Sequence, residues 1–403
     1  MKQPNRLRAL LCACPLILTG YAAETATFSD AFAQGKVSLN IRARFEGVEQ
    51  TGLPDADAFT LRTRLGFATA PLHGIKAMAE LENIVSPDGD RYSQAGINSG
   101  GAGRAVVADP EGTELNQAFL AWASKETTVT VGRQRVVLDG ARFVGDVGWR
   151  QNMQTFDGVA LVNKSVEKLT LNYGYLTRIN RVFGNRHPQG NWDSDSHLFN
   201  ASYSGPKAVT ITGYAYVLDF DNAAAQSCAT YGVSFAGATP VSEKTKLTYR
   251  AEFASQTDYG SSVLNYSADY LALELGAATK VFGLALGYEE LGSDNGVSFR
   301  TPLATLHAFN GWADMFLVTP ANGLRDVYLK GTLALPHGFN LLAFYHEFKA
   351  DRLGAEFGSE VDLQLTRKFG KRFTALIKAA KFDRDTTAFA DVTKFWAQVE
   401  YVY

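Results

Sequence analysis

From residue 36 onward the side chains alternate between apolar and polar with a period of two, and they do so through most of the chain. In 36–46 the odd positions are Val37, Leu39, Ile41, Ala43 and Phe45, and the even positions are Ser38, Asn40, Arg42, Arg44 and Glu46. The stretch 59–67 repeats this, with Phe59, Leu61, Leu65 and Phe67 set against Thr60, Arg62 and Arg64. Successive side chains of a strand point to opposite faces, so each such segment reads as a strand with one apolar and one polar face. A soluble sandwich also alternates. Charges in the middle of the polar face, and the persistence of the pattern, weigh against it.

Eighteen strands are read in this way, at about 36–47, 58–69, 74–84, 114–123, 127–136, 155–163, 167–178, 196–204, 207–219, 229–237, 244–255, 264–275, 278–290, 325–335, 339–350, 357–367, 371–382 and 391–403. Most have the ~9–11 residues that a tilted strand needs to cross a bilayer. The connections 70–73, 124–126, 164–166, 205–206, 276–277 and 336–338 are tight, whereas 84–113, 137–154, 177–195 and 291–324 are long. Short turns on one side and long loops on the other mark an outer-membrane barrel. The expected fold is all-β: a transmembrane antiparallel β-barrel of about 18 strands with short periplasmic turns and long extracellular loops.

Lipid offers no water to an open strand edge, so the sheet must close. An even strand count puts both chain ends on the periplasmic side. Odd residues of the first strands then face lipid and even ones the lumen. At ~16–18 strands the interior is wide enough for an aqueous channel, so lumen side chains are expected to be hydrated and to need no buried partners. The last strand supports this independently, because Phe395, Ala397, Val399, Tyr401 and Tyr403 alternate up to a terminal aromatic residue. Such an ending resembles the signal read by barrel-insertion machinery. That machinery and outer-membrane lipid are the expected partners, in the outer membrane of a bacterial-type cell.

Composition closes off other classes. Across 403 residues the net charge is -2, which is no footprint for a nucleic-acid binder. Hydrophobic residues make up 46% and charged residues 20%, too apolar for disorder, yet no apolar run of ~20 residues marks a spanning helix. Lys2, Arg6 and Arg8 precede an apolar stretch over 9–18, followed by Gly20, Ala22 and Ala23. That is the pattern of a secretory signal peptide. Residues 1–23 are therefore expected to be the signal and 24–403 the barrel. Removing the signal takes Cys12 and Cys14 and leaves Cys228, which excludes an internal disulfide and a thiolate metal site.

Arg42 and Arg44, with Arg62 and Arg64, sit on consecutive strands. A hairpin centred near Leu53 predicts Arg44 opposite Arg62 and Arg42 opposite Arg64, four guanidiniums in one patch of lumen wall. Like charges directly opposite destabilise a sheet, so something must offset them. A second turn centred near Leu72 predicts Glu80 opposite Arg64 and Glu82 opposite Arg62. The patch is either a solvated charge ladder that stiffens the wall or a strip that meets carboxylates in transit, whose geometry the planar guanidinium fits. The segment 131–151 mixes Gly, Arg, Asp and aromatics. It is either a surface loop or an inward constriction in which Arg142, Arg150, Asp139 and Asp146 set selectivity.

Catalytic readings fare poorly. His73, His187, His197, His307, His337 and His346 are scattered, and none forms a ligand pair or nucleophile motif. No enzyme activity, cofactor or metal is expected.

The block 301–314, with Phe316, Leu317 and 319–323, together with Gly132, Arg133 and Gln134, Asp157 and Gly158, and 115–119, resembles the alginate-export family of outer-membrane barrels. The resemblance covers nearly the whole mature chain. It implies eighteen strands and an Arg-rich lumen for a polyanionic polysaccharide, with Arg42, Arg44, Arg62 and Arg64 at the selectivity positions. The expected function is passive passage of anionic solutes or oligosaccharides. The alternatives are a general or differently selective porin and, from another class, a loop-mediated adhesin or outer-membrane enzyme. Finally, 291–324 holds Leu306, Phe309, Trp312, Met315, Phe316 and Leu317, too apolar for a freely solvated loop. Their spacing of three and four predicts a short helix that folds inward and buries Trp312 and Phe316 as a plug. Stacking of Trp312 on a sugar ring is the alternative.

Overall fold

The computed structural model describes residues 27–205 and 209–403; the expected signal peptide at 1–23 lies outside the described residues. Eighteen strands make one sheet. They are β1 (Lys36–Gln50), β2 (Ala56–Ala68), β3 (Ile75–Val85), β4 (Gly112–Ala123), β5 (Thr127–Gln134), β6 (Thr155–Asn163), β7 (Leu169–Asn180), β8 (Asn191–Ser204) and β9 (Val209–Leu218). The second half holds β10 (Cys228–Pro240), β11 (Lys246–Asp258), β12 (Ser267–Ala278), β13 (Phe282–Leu291), β14 (Leu324–Ala334), β15 (Phe339–Lys349), β16 (Glu356–Phe369), β17 (Phe373–Arg384) and β18 (Val392–Val402). Each strand pairs antiparallel with the next. β18 pairs with β1 from Asn40↔Val402 to Gln50↔Val392, which closes the barrel and leaves no edge.

The alternation read from the sequence is the alternation of the wall. Phe59, Leu65, Leu120, Phe235, Leu286 and Ile377 are exposed on the outside, a surface suited to lipid. No helix among the described residues is long and apolar enough to cross a membrane. One short helix, α1 (Phe28–Ala33), is capped by Thr27, whose hydroxyl accepts from Asp30 N at 3.1 Å. It lies against the outer face of β2, with Phe32 stacked on Phe67 at 5.8 Å.

Both expected hairpin registers are off by two residues. Arg42 faces Arg62, Asn40 faces Arg64 and Arg44 faces Thr60. Arg64 faces Glu82, and Glu80 faces Gly66. The second offset has a clear origin. His73 and Gly74 both take positive φ, 51° and 77°, and Leu72 and Ile75 exchange backbone hydrogen bonds of 2.8 and 2.9 Å across them. This is the two-residue turn whose twist suits a hairpin, and it centres the pairing one residue later than Leu72. A slip of two preserves parity, so all four arginines still face the lumen.

The expectation of a hydrated lumen is wrong. Arg42, Arg44, Arg62 and Glu82 are buried, and residues 148–151 of one long connection and Asp109 of another pack on the three arginines. The inward segment 292–323 is not helical as its spacing suggested. It holds a single 3-10 turn, Leu306–Ala308, and a two-residue ladder between Ser293–Asp294 and Val297–Ser298. Of its apolar side chains Trp312 and Phe316 are buried, whereas Leu317 is exposed.

Candidate functional site: two inward loops against two walls

The lumen face of β18, β1 and β2 is basic, and the loop 135–154 presents carbonyl oxygens to it. Arg42 donates to the carbonyls of Gly148, at 3.1 Å, and of Arg150, and its Nε donates to Gln151 Oε1 at 2.9 Å. Arg44 lies 4.1 Å over the Trp149 ring and donates to the Trp149 carbonyl and to Gln398 Oε1 at 2.7 Å. Arg62 and Arg64 both donate to the Gln151 carbonyl, at 3.4 and 3.0 Å. The like-charge crowding is also offset by carboxylates: Asp109 lies 3.5 Å from Arg44, Glu400 lies 3.1 Å from Arg62, and Glu82 pairs with Arg64. Glu80 does not reach the arginines; it accepts from Asn116 at 2.6 Å and Gln117 at 3.1 Å.

The residues expected at an inward constriction pin this loop across the barrel. Asp139, Gly140 and Ala141 all have positive φ, a strained run that glycine alone adopts easily. It aims Asp139 at Asn200, 2.8 Å away, and at the Tyr216 hydroxyl on β9. Arg142 is buried and donates to Glu289 on β13 at 2.7 Å. Asp146 accepts from Arg135 at 2.8 Å and from Gly148 N at 3.1 Å. Arg150 donates to Glu46 and to Asp314, each at 3.0 Å.

The opposite lumen face, on β13 to β16, is acidic, and the loop 292–323 presents N–H groups to it. Trp312 N donates to Asp362 at 3.2 Å and Ala313 N to Glu360 at 2.7 Å. Asn310 Nδ2 donates to Glu289 at 2.7 Å and to Asp326 at 3.3 Å. Trp312 packs edge-on to Phe344, with Lys378 Nζ 3.6 Å from its ring centre. Phe316 sits among Phe348, Phe357, Phe382 and Phe389. The loops also grip each other: Gly145 N donates to the Leu303 carbonyl at 2.8 Å and Thr305 N to the Ala141 carbonyl at 2.9 Å. A Cβ on Gly145 would lie 2.3 Å from Thr305 Oγ1, so this crossing needs glycine.

Two histidines that looked scattered belong to these contacts. His307 stacks on Trp149 at 4.5 Å, its Nδ1 lies 2.7 Å from Asp314 Oδ1, and Lys378 Nζ donates to its Nε2 at 2.6 Å. Burial and the neighbouring ammonium hold His307 well below its ordinary pKa. Burial works to raise the Asp314 carboxyl, but His307, Lys394 (2.7 Å) and Arg150 outweigh it and hold it well below the carboxylate range. His346 lies 2.8 Å from Asp326. Strand parity alone could have placed His346, Lys378, Gln398 and Glu400 in the lumen. No local motif marks them.

Two cavities lie beside the β2–β4 wall. The one toward the extracellular loops is water-sized, about 10 Å³, and its lining includes Glu82, Glu111, Glu114, Asn152 and Arg186. The one toward the chain termini measures about 180 Å³ and is lined by Asn40, Arg64, Glu80, Gln117, Arg135 and Met153 among others. The Arg64–Glu82 pair and the Asn152–Met153 step each give one member to each cavity, so together they form the partition.

Comparison with known proteins supports the architecture. No protein-family model and no curated protein matches the chain. Among solved structures, OccAB4 of Acinetobacter baumannii superposes with a TM-score of 0.72 at 14% identity, covering 92% of this chain and 98% of that one. OpdO of Pseudomonas aeruginosa gives 0.74 at 13%, covering 93% and 98%. OpdK of the same organism, solved with vanillate, gives 0.72 at 14%, covering 92% and 99%. These solved structures carry Occ and Opd names rather than that of the alginate-export family, and at such identity they show the fold: the chain shares their closed barrel.

Proposed function

We propose that this chain is an outer-membrane channel for passive diffusion of small anionic solutes, with the Arg64–Glu82 partition as its selectivity point. The observation that carries the reading is the pair of cavities on either side of that partition. Arg64 is the least covered of the four arginines, with 11% of its side chain exposed, and it lines the larger cavity with Arg135, Asn40 and Gln117. A carboxylate there can exchange with Glu82 for the guanidinium fork. A volume of 180 Å³ lies below the ~300–1,000 Å³ of drug-sized pockets, which favours small solutes over oligosaccharides. The neighbour solved with vanillate holds a small aromatic carboxylate, consistent with this class.

A second reading has its own support. The smaller cavity carries Glu82, Glu111 and Glu114 against Arg186, a mouth suited to cations or zwitterions. Single-channel recording in planar bilayers under a salt gradient separates the two. Arg64→Gln is expected to shift the reversal potential toward cations and Glu82→Gln toward anions, with added benzoate blocking the wild type more than Arg64→Gln. A wild type without conductance sinks the channel reading. A cation-selective wild type insensitive to benzoate favours the second one.

A further inference from the structure

We propose that the outer wall of the barrel binds one anionic phospholipid headgroup at its periplasmic rim, with the Arg367 guanidinium taking the phosphate. The assignment rests on the outer-membrane placement proposed above, and on a part of the wall that the lumen chemistry does not use. Around the β16–β17 turn the chain reads Arg367, Lys368, Phe369, Gly370, Lys371, Arg372, Phe373: four cations and no carboxylate.

Arg367 does not face the lumen. Val361 and Leu363 on the same strand are exposed on the outside, and parity puts Arg367 and Phe369 on that face. Its register partners, Phe339 on β15 and Ala375 on β17, are uncharged. The guanidinium carbon lies 4.8 Å from the Phe339 ring centre and 4.5 Å from that of Phe369. Its Nε is buried without a hydrogen-bond partner, and no ion pair reaches the side chain among the described residues. In the lumen, by contrast, Arg42, Arg44, Arg62 and Arg64 each meet an acceptor. Two rings thus hold a guanidinium flat on the lipid side with its donors unspent.

Across the turn, Arg372 lies 4.6 Å over the Tyr403 ring and donates to the Tyr401 hydroxyl at 3.2 Å, while Phe373 and Tyr401 pack at 4.9 Å. Aromatic residues of this kind sit at the headgroup level of a bilayer. Apolar Leu363 and Ile377 lie farther from the turn, where acyl chains would run. A planar fork suits a phosphate, and clustered cations draw anionic lipid. The occupant that fits both the rings and the charge is a phospholipid whose phosphate meets Arg367 and whose chains lie on the belt above.

Native mass spectrometry of the purified full-length barrel with phosphatidylglycerol or phosphatidylethanolamine tests this. The wild type is expected to retain phosphatidylglycerol about five-fold more, as befits one half-buried cation at a membrane surface. Arg367→Gln should bring that ratio to near one, while Lys244→Gln, at a different turn, leaves it unchanged. Phe339→Ala removes one ring, keeps the charge and should lower the preference partway, which keeps the test decisive even where Arg367→Gln fails to insert. A wild type with no preference, or either Arg367→Gln or Phe339→Ala with the full one, overturns the proposal. Conductance of the same samples is read separately: an Arg367-dependent preference in a non-conducting barrel would sink the channel reading and leave the lipid site standing.

Discussion

The two walls of the lumen solve one problem with opposite charges. On the basic wall, Arg42, Arg44, Arg62 and Arg64 receive carbonyl oxygens from Gly148 to Gln151. On the acidic wall, Glu360 and Asp362 receive the N–H groups of Trp312 and Ala313. A peptide unit has a positive and a negative end, and each wall selects the end of opposite sign. Each of these buried charged groups thereby gains at least one backbone partner, which offsets part of the cost of taking it out of water. Wall charge thus specifies how each loop lies as well as what the lumen attracts.

The comparison can be broken at several points. Deleting 304–318 removes the groups that face the acidic wall and should raise single-channel conductance several-fold, the largest effect expected; unchanged conductance would mean that this loop does not narrow the lumen. Next comes Arg44→Ala, which removes the nearer of the two cations beside the buried Asp109 carboxylate and the cation over Trp149, while Arg150 at 4.0 Å and the Gln151 N–H at 2.7 Å still face Asp109. The loss is expected to cost about 1–3 kcal/mol, read as a lower unfolding temperature and faster proteolysis of 135–154. Glu360→Arg should free the 292–323 loop more than Glu360→Gln does, because only the former turns a positive charge on the N–H of Ala313. Equal protease sensitivity in both variants would show that wall charge is immaterial there.

The smallest effect is with pH. Asp314 titrates below its ordinary value in the folded chain, so the stability it lends is present above the unfolded pKa of ~3.9 and is lost only as pH falls through the folded value. The contribution of Asp314 itself should therefore be the same at pH ~5 and pH ~7: Asp314→Asn is expected to change conductance by the same factor at both, and a smaller factor at pH ~5 would show that Asp314 is already protonated there.

The barrel itself was legible because a strand's period and a membrane's thickness are both written in local sequence. Eighteen strands, their order and their facing follow from alternation alone. The pairing across the first two hairpins was missed by two residues, since it depends on where a turn such as His73–Gly74 takes positive φ, and hydrophobicity does not report that. The site was harder. Arg42, Arg44, Arg62 and Arg64 stand out by spacing, but their partners are carbonyls of a distant loop, and backbone leaves no trace in residue type. His307 and Lys378 are brought together only by the inward fold of 292–323.

The seam between β18 and β1 has a consequence for how the molecule is made. Asn40 and Glu400, 360 residues apart, share a hydrogen bond of 3.0 Å, and Gln398 and Glu400 are supplied to Arg44 and Arg62 by the last strand. The first strand to emerge during synthesis thus waits for the last before its cations are fully compensated. Contacts this far apart in sequence form late. Until they do, Arg44 and Arg62 lack part of their compensation at the free edge, which disfavours burial of an unfinished sheet in lipid. The same residues that hold the inward loop thereby tie completion of the polar lock to closure of the barrel.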